Sequence, residues 1–445
     1  MDTPIADFVK KYALSDVSRF HMPGHKGRPF LGCENLDITE IHGADVLSSA
    51  DGIIEQSENN ASLLFGSKYS LYSTEGSTLA IKAMLAIIKK RSGKSKTTIL
   101  AARNAHKAFI YACALLDLEA HWLYPKDNKH LCECNISAEE LDTLLSSCDA
   151  LPDAVYVTSP DYLGNIADIK GLSAVCHSYG VPLLVDNAHG AYLAFLDKSK
   201  HPMALGADMC ADSAHKTLPV LTGGAYLHIS KQYDISKASA RSAMALFAST
   251  SPSYLILQSL DLCNAYIKNG YTDRLLNCVE RTSALKKKLS ELGFIVENSE
   301  ELKVVISKSS CGYSGIELSE HLRKYNVESE FSDSDLLVLM VTPELDEIDF
   351  ERVEAAFAAL QPQASDNIPD NGQCAVHPQA LMSIRNAMLA PCETVSVSQS
   401  VGRICATTTV SCPPAVPIVM SGELIDEDCA KLLLHYGITS IDVVK

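Results

Sequence analysis

The sequence holds no apolar run near the ~18 residues that a membrane-spanning helix requires. Its opening segment, MDTPIADFVKKYALSDVSRF, lacks the basic-then-apolar order of a signal peptide, so a cytoplasmic location is expected. Basic charge is also scarce: 38 Lys and Arg face 54 Asp and Glu, for a net charge of -16. This balance disfavours the basic footprint of a nucleic-acid binder and is compatible with a cationic small substrate. Paired cysteine motifs are missing too. HLCEC supplies His130, Cys132 and Cys134, but no second pair completes a zinc-type set, so no metal site is expected and the segment reads as an ordinary exposed loop. The 15 cysteines, odd in number and without a secretory signal, read as reduced thiols instead of a disulfide framework. Neither G-x-G-x-x-G after a strand nor G-x-x-x-x-G-K-[ST] occurs, which removes the usual support for a dinucleotide or nucleoside triphosphate site.

What is present is the texture of a folded enzyme-sized chain. At 445 residues it exceeds what one hydrophobic core usually supports, so two or three domains are expected. Short β-branched or apolar runs (TTILAA, AVYVT, PLLVD, DMCAD, AYLHI) are separated by amphipathic segments such as LAIKAMLAIIKK and GLSAVCHSYG. This alternation predicts an α/β fold with a mainly parallel sheet covered by helices. Ligands of such sheets sit at the carboxyl ends of strands. His106, Asp186 and Lys216 all fall just beyond predicted strands. Further on, LKKKLSELGFIVEN, LKVVISK and DLLVLMVTPELDEIDFERVEAAFAAL suggest a smaller α/β domain. A Pro, Asn, Asp and Gln-rich linker then leads to a compact C-terminal portion. The expected boundaries are an arm over 1–30, a large domain over 31–265, a small domain over 266–362, a linker over 363–373 and a C-terminal domain over 374–445.

Three features carry chemistry. In STEGSTLAIKAML, Gly76, Ser77 and Thr78 form a turn into a helix, whose unpaired N–H groups and positive end suit a phosphate; simple N-capping is the plainer alternative. Asp186 ends LLVD, where a buried carboxylate needs a partner such as a protonated ring nitrogen, although a cap, a turn, a metal or a ribose would use an Asp equally well. Lys216, in SAHKT, becomes a nucleophile if desolvation deprotonates it; a solvated surface lysine is the alternative. Ser213 and His215, at alternate positions before Lys216, would reach the same phosphate. Together these supply a covalent anchor, an acid for a ring nitrogen and a phosphate cradle, the set required by pyridoxal 5'-phosphate.

In order along the chain, RFHMPGHKGR, DITEIHGAD, EGST, RNAHKA, SPDYLGNI, DNAHGAYL, SAHKTLPVLTGGA, TSPSYLILQSLD and VGRICATTTVSCPPAVPIVMSGELI resemble the Orn/Lys/Arg decarboxylases, across nearly the whole length. The resemblance implies a fold type I pyridoxal-phosphate enzyme, with an aspartate aminotransferase-like large domain, a small α/β domain and a compact C-terminal domain. It implies a lyase that removes the α-carboxyl of arginine, lysine or ornithine to give a polyamine precursor and CO2. It also implies Lys216 as the Schiff-base lysine, Asp186 as the partner of the ring nitrogen and His106 as the imidazole stacked on the ring. Gly76, Ser77, Thr78, Ser213 and His215 would hold the phosphate, and His189 of NAHG would lie near the ring. A homodimer with shared active sites is the implied assembly, in a short form without the N-terminal wing domain of the longest members, with TSPSY near a neighbour's phosphate.

HMPGHKG is not a helical two-histidine metal pair, because Pro23 and Gly24 between His21 and His25 forbid the one-face helix that such ligation needs; it reads as a structured arm near the active site or the dimer contact. Three places depart from the common family pattern: Asn187 where many members carry Glu, Asp161 where Thr is frequent, and Leu79 and Ala80 where Gly and Asn are common. These leave open an aminotransferase or other pyridoxal-phosphate lyase, or a catalytically weak cofactor-binding paralogue.

Overall fold

The computed structural model describes residues 1–125, 130–308, 312–362, 376–408 and 416–445. The expected linker, 363–373, lies outside the described residues. The chain is α/β, with a mostly parallel seven-stranded sheet and a small C-terminal domain. Its strands are β1 (Tyr69–Ser73), β2 (Thr97–Ala102), β3 (Leu118–Leu123), β4 (Ala154–Thr158), β5 (Leu183–Asp186), β6 (Met209–Asp212) and β7 (Ala225–Ile229). Two compact units divide the chain: Met1–Ser95 with Leu141–Val157 and Asp168–Asp273, and Lys96–Glu140 with Thr158–Ala167 and Arg274–Lys445.

In the first unit the neighbouring strands run β1-β7-β6-β5-β4. β5 and β6 pair in parallel with Asp186 opposite Ala211, whereas β7 is antiparallel to both β6 and β1. β5, β6 and β7 are buried along their whole length, which explains why their sequences are continuous apolar runs and not alternating ones. The helix Gly76–Ser92 is likewise apolar along most of its length, with Ile81, Met84, Leu85 and Ile88 wholly inside. At roughly 1.5–3 kcal/mol per buried large apolar side chain, these residues anchor the unit. The helix Pro4–Ala13 joins this core through Ile5 and Val9, and its first turn is capped from afar: Asp261 accepts from the N–H groups of Ile5 and Ala6, each at 2.9 Å.

The second unit contains the parallel pair β2 and β3. It also contains a three-stranded antiparallel sheet in the order β8 (Lys303–Ser307), β10 (Leu336–Met340), β9 (Phe331–Ser332). A third sheet, β11 (Cys392–Ser396), β13 (Ser440–Val444), β12 (Cys405–Thr407), closes over a core that includes Val397, Ile425, Leu433 and Val443. One expectation is corrected here. Cys132 and Cys134 of HLCEC are buried, and Cys132 packs with Tyr162, Leu163, Val305 and Phe331; the apolar character of a thiol in a core outweighs the charged look of the loop.

Candidate active site

Three of the groups singled out in the sequence come together in the first unit. Asp186 ends β5 and is 2% exposed. The turn that follows is closed by the Gly190 N–H donating to the Asn187 carbonyl at 2.8 Å, and it carries His189. Lys216 lies in the short helix Ala214–Thr217 just after β6, half-buried, with Nζ 2.8 Å from His189 Nε2. The Asp186 carboxylate accepts from the Tyr156 hydroxyl at 3.1 Å and from the Ala188 N–H at 3.2 Å. Burial pushes the Asp186 carboxyl above the usual carboxylate range, while the Lys216 charge and the Tyr156 hydroxyl pull it back. Tyr156 was not anticipated; its signal was its place in the middle of the AVYVT strand.

Around the start of helix Gly76–Ser92, Ser213 donates to the Ser77 hydroxyl at 2.8 Å, so the two candidate phosphate ligands from distant sequence positions share one spot. Gly76 has φ of +73°, and its N–H donates to the Gly223 carbonyl at 2.8 Å, so the turn uses the conformational freedom of glycine. Thr78 lies in the first turn of the same helix and is half-buried. His215 points Nδ1 at the Gly224 carbonyl, 2.9 Å away; an N–H there leaves Nε2 to donate only when the ring is protonated. Burial lowers the His215 pKa.

His106 belongs to the second unit. It caps the helix Lys107–Leu116, its Nδ1 accepting from the Ala108 N–H at 3.1 Å, so a neutral ring carries its proton on Nε2. Nearby in sequence, Arg103 forms a largely buried pair with Glu423 of the SGEL motif at 2.8 Å, donates to the Ile418 carbonyl and lies over Trp122 and Tyr124. Both motifs were legible, but their pairing was not.

The departures from the family pattern have physical accounts. Asp161 is a loop organiser: its Oδ1 accepts from the N–H groups of Leu163 and Asn165, and its Oδ2 from the Asn165 amide. Leu79 and Ala80 are buried on the inner side of their helix. Asn187 donates to Asp212 at 2.7 Å. His21 and His25 stand in the turns that follow the first helix, with His21 near Tyr12 and His25 3.2 Å from Asp37.

The donor set fits pyridoxal 5'-phosphate. Among the described residues, Asp186 is a buried carboxylate with two protein donors against about four acceptor sites, which leaves acceptor capacity for a protonated ring nitrogen. An amine and a hydroxyl-lined helix start stand in the same unit.

A lysine, an imidazole and a buried aspartate at the strand ends of an α/β chain are groups that would suit an aldehyde cofactor. Sequence profiles narrow the class: residues 3–311 match the Orn/Lys/Arg decarboxylase major domain and residues 368–437 the C-terminal domain of the same family. The chain belongs to the Orn/Lys/Arg decarboxylase family and is an amino-acid decarboxylase; the family depends on pyridoxal phosphate. It is 29% identical over 459 residues to arginine decarboxylase of Bacillus subtilis (strain 168), covering 96% of this chain and 92% of the relative. Arginine decarboxylase of Halalkalibacterium halodurans is also 29% identical, over 458 residues, covering 96% of this chain and 91% of the relative. In fold it resembles the Francisella novicida lysine decarboxylase LdcF, with a TM-score of 0.80 at 18% identity over 100% of this chain and 81% of the other. Among the described residues no helix is long and apolar enough to cross a membrane.

Proposed function

We propose that this chain holds pyridoxal 5'-phosphate on Lys216 and decarboxylates a basic amino acid, with arginine the first substrate to test. The observation that carries the cofactor reading is the 2.8 Å contact between Lys216 Nζ and His189 Nε2, in the same unit as the buried Asp186. The observation that favours arginine is the likeness to two arginine decarboxylases over 96% of the chain.

When bound, the cofactor supplies an electron sink for the charge left on Cα as CO2 departs. The protein's own groups have separate tasks. His189 Nε2 accepts a hydrogen bond from Lys216 Nζ and can take its proton, leaving the neutral amine that attack on a carbonyl requires. Asp186 would keep a proton on the ring nitrogen, and the Tyr156 hydroxyl orients the carboxylate for that task. Gly76, Ser77, Thr78, Ser213 and His215 would receive the phosphate; an anion beside His215 would favour the protonated ring, against the lowering that burial imposes. His106 is proposed for the ring face from its place in the RNAHK motif. A homodimer is proposed on the family resemblance, as is the domain division at 30, 265, 362 and 373.

Purified protein supplied with pyridoxal phosphate and arginine, lysine or ornithine should release CO2 with the matching agmatine or diamine. Amine from none of the three overturns the substrate reading, and keto acid without CO2 would replace it with transamination.

A further inference from the structure

A second polar cluster lies inside the first unit. Asp212, the last residue of β6, is fully buried, as are His201, His228 and Asn187. Asp212 Oδ2 lies 2.8 Å from His201 Nε2 and 3.3 Å from His228 Nε2. Its Oδ1 accepts from the Asn187 amide at 2.7 Å, with the Cys210 thiol at 3.7 Å. His201 Nδ1 accepts from the Met203 N–H, which places the ring proton on Nε2, facing the carboxylate. Behind His228, Nδ1 meets the Ser70 hydroxyl at 2.7 Å. The contact to Asp212 fixes the orientation of the Asn187 amide. Its Oδ1 is then left buried without a hydrogen-bond partner among the described residues, a cost that a merely space-filling residue would not retain.

The cluster stands between the groups of the candidate site. Asn187 follows Asp186 and begins the turn that carries His189, while Asp212 precedes Ser213 and the Lys216 helix. The backbone repeats the connection, because the Asn187 N–H donates to the Ala211 carbonyl at 2.9 Å. One buried carboxylate therefore braces the two strand ends that bear the proposed anchor, the ring-nitrogen acid and part of the phosphate cradle. The buried carboxylate of this pair of strand ends is Asp212, with the imidazoles of His201 and His228 against its Oδ2.

We propose that Asp212, held by His201 and His228, is a positioning residue that sets the cofactor-binding geometry of Asp186 and His189 through Asn187. This rests on the pyridoxal phosphate reading given above. The test is titration of the apoprotein with pyridoxal phosphate, following Kd and the position of the visible band of the bound cofactor, alongside thermal unfolding. Asn187→Ala cuts the side-chain link and keeps both the backbone bond to Ala211 and the Asp212 to His201 pair. Asp212→Ala removes the brace. Each should raise Kd about tenfold or more, as expected for losing a hydrogen bond to a charged group, and should move the band. The exchange Asn187→Asp with Asp212→Asn, which keeps a donor facing an acceptor, should restore both. Variants that lose thermal stability while Kd and the band stay as in the parent chain would overturn the positioning role and leave the cofactor reading intact. If the parent chain itself binds no pyridoxal phosphate, the cofactor reading falls first and takes this inference with it.

Discussion

Lys303 offers the sharpest energetic test in the second unit. It is fully buried at the start of β8, donates to the Asp161 carbonyl at 3.0 Å, stands 3.9 Å from the Glu300 carboxylate and lies over the Tyr162 ring. Burial pushes the Asp161 carboxyl up to about 6 and that of Glu300 up to about 7, with the Lys303 charge opposing both. Raised carboxyl pKa values mean that the folded chain holds these protons more tightly than the unfolded one. Their stabilising contribution is complete below the ordinary carboxylate values and is lost as pH rises through about 6 and about 7. Lys303→Met removes the compensating cation and lets both values climb further. At pH 8 the variant must either bury these carboxylates ionised without that partner or hold them protonated where the unfolded chain ionises them, and removing one member of a buried pair costs about 3–5 kcal/mol. At about pH 5.5 both groups are protonated, and the loss should shrink toward the ~1 kcal/mol of one hydrogen bond. Urea unfolding followed by circular dichroism at the two pH values measures the difference, and adding Glu300→Gln should recover part of the loss at pH 8. Equal destabilisation at both pH values would refute the reasoning.

Asp186→Asn should lower the decarboxylation rate by roughly 100-fold or more, since an amide cannot hold the ring proton, and should weaken cofactor binding in an absorbance titration. Arg103→Met leaves Glu423 buried without its guanidinium partner, and chemical denaturation should show about 3–5 kcal/mol of destabilisation. Gly315→Ala would place a Cβ 1.8 Å from the Leu336 carbonyl oxygen, so the backbone must shift; a loss of more than about 3 kcal/mol is expected from denaturation midpoints.

The apolar runs that are buried along their length were easily read as strands, because β4, β5, β6 and β7 leave no polar face to confuse the pattern. β1, with the sequence YSLYS, and β3, with LEAHWL, were harder. Ser70 is spent on a buried histidine, and the charged and polar residues of β3 mark an exposed edge, so neither reads as a core strand. The candidate site residues Lys216 and Asp186, each a charged group just beyond or at the end of an apolar strand, are legible in the sequence. Their supports did not. Tyr156 against Asp186 and Asn187 against Asp212 join different strands, and only the register of the sheet brings them within hydrogen-bond distance. The same holds for Lys303, whose burial at the start of β8 is explained only by the folded loop at Asp161 that meets it.

The most direct test of the account is chemical trapping of the cofactor. Protein incubated with pyridoxal phosphate, reduced with borohydride and digested should yield, by peptide mass spectrometry, one phosphopyridoxyl-lysine, at Lys216. Label on a different lysine, or label at Lys216 no greater than on exposed surface lysines, would contradict it.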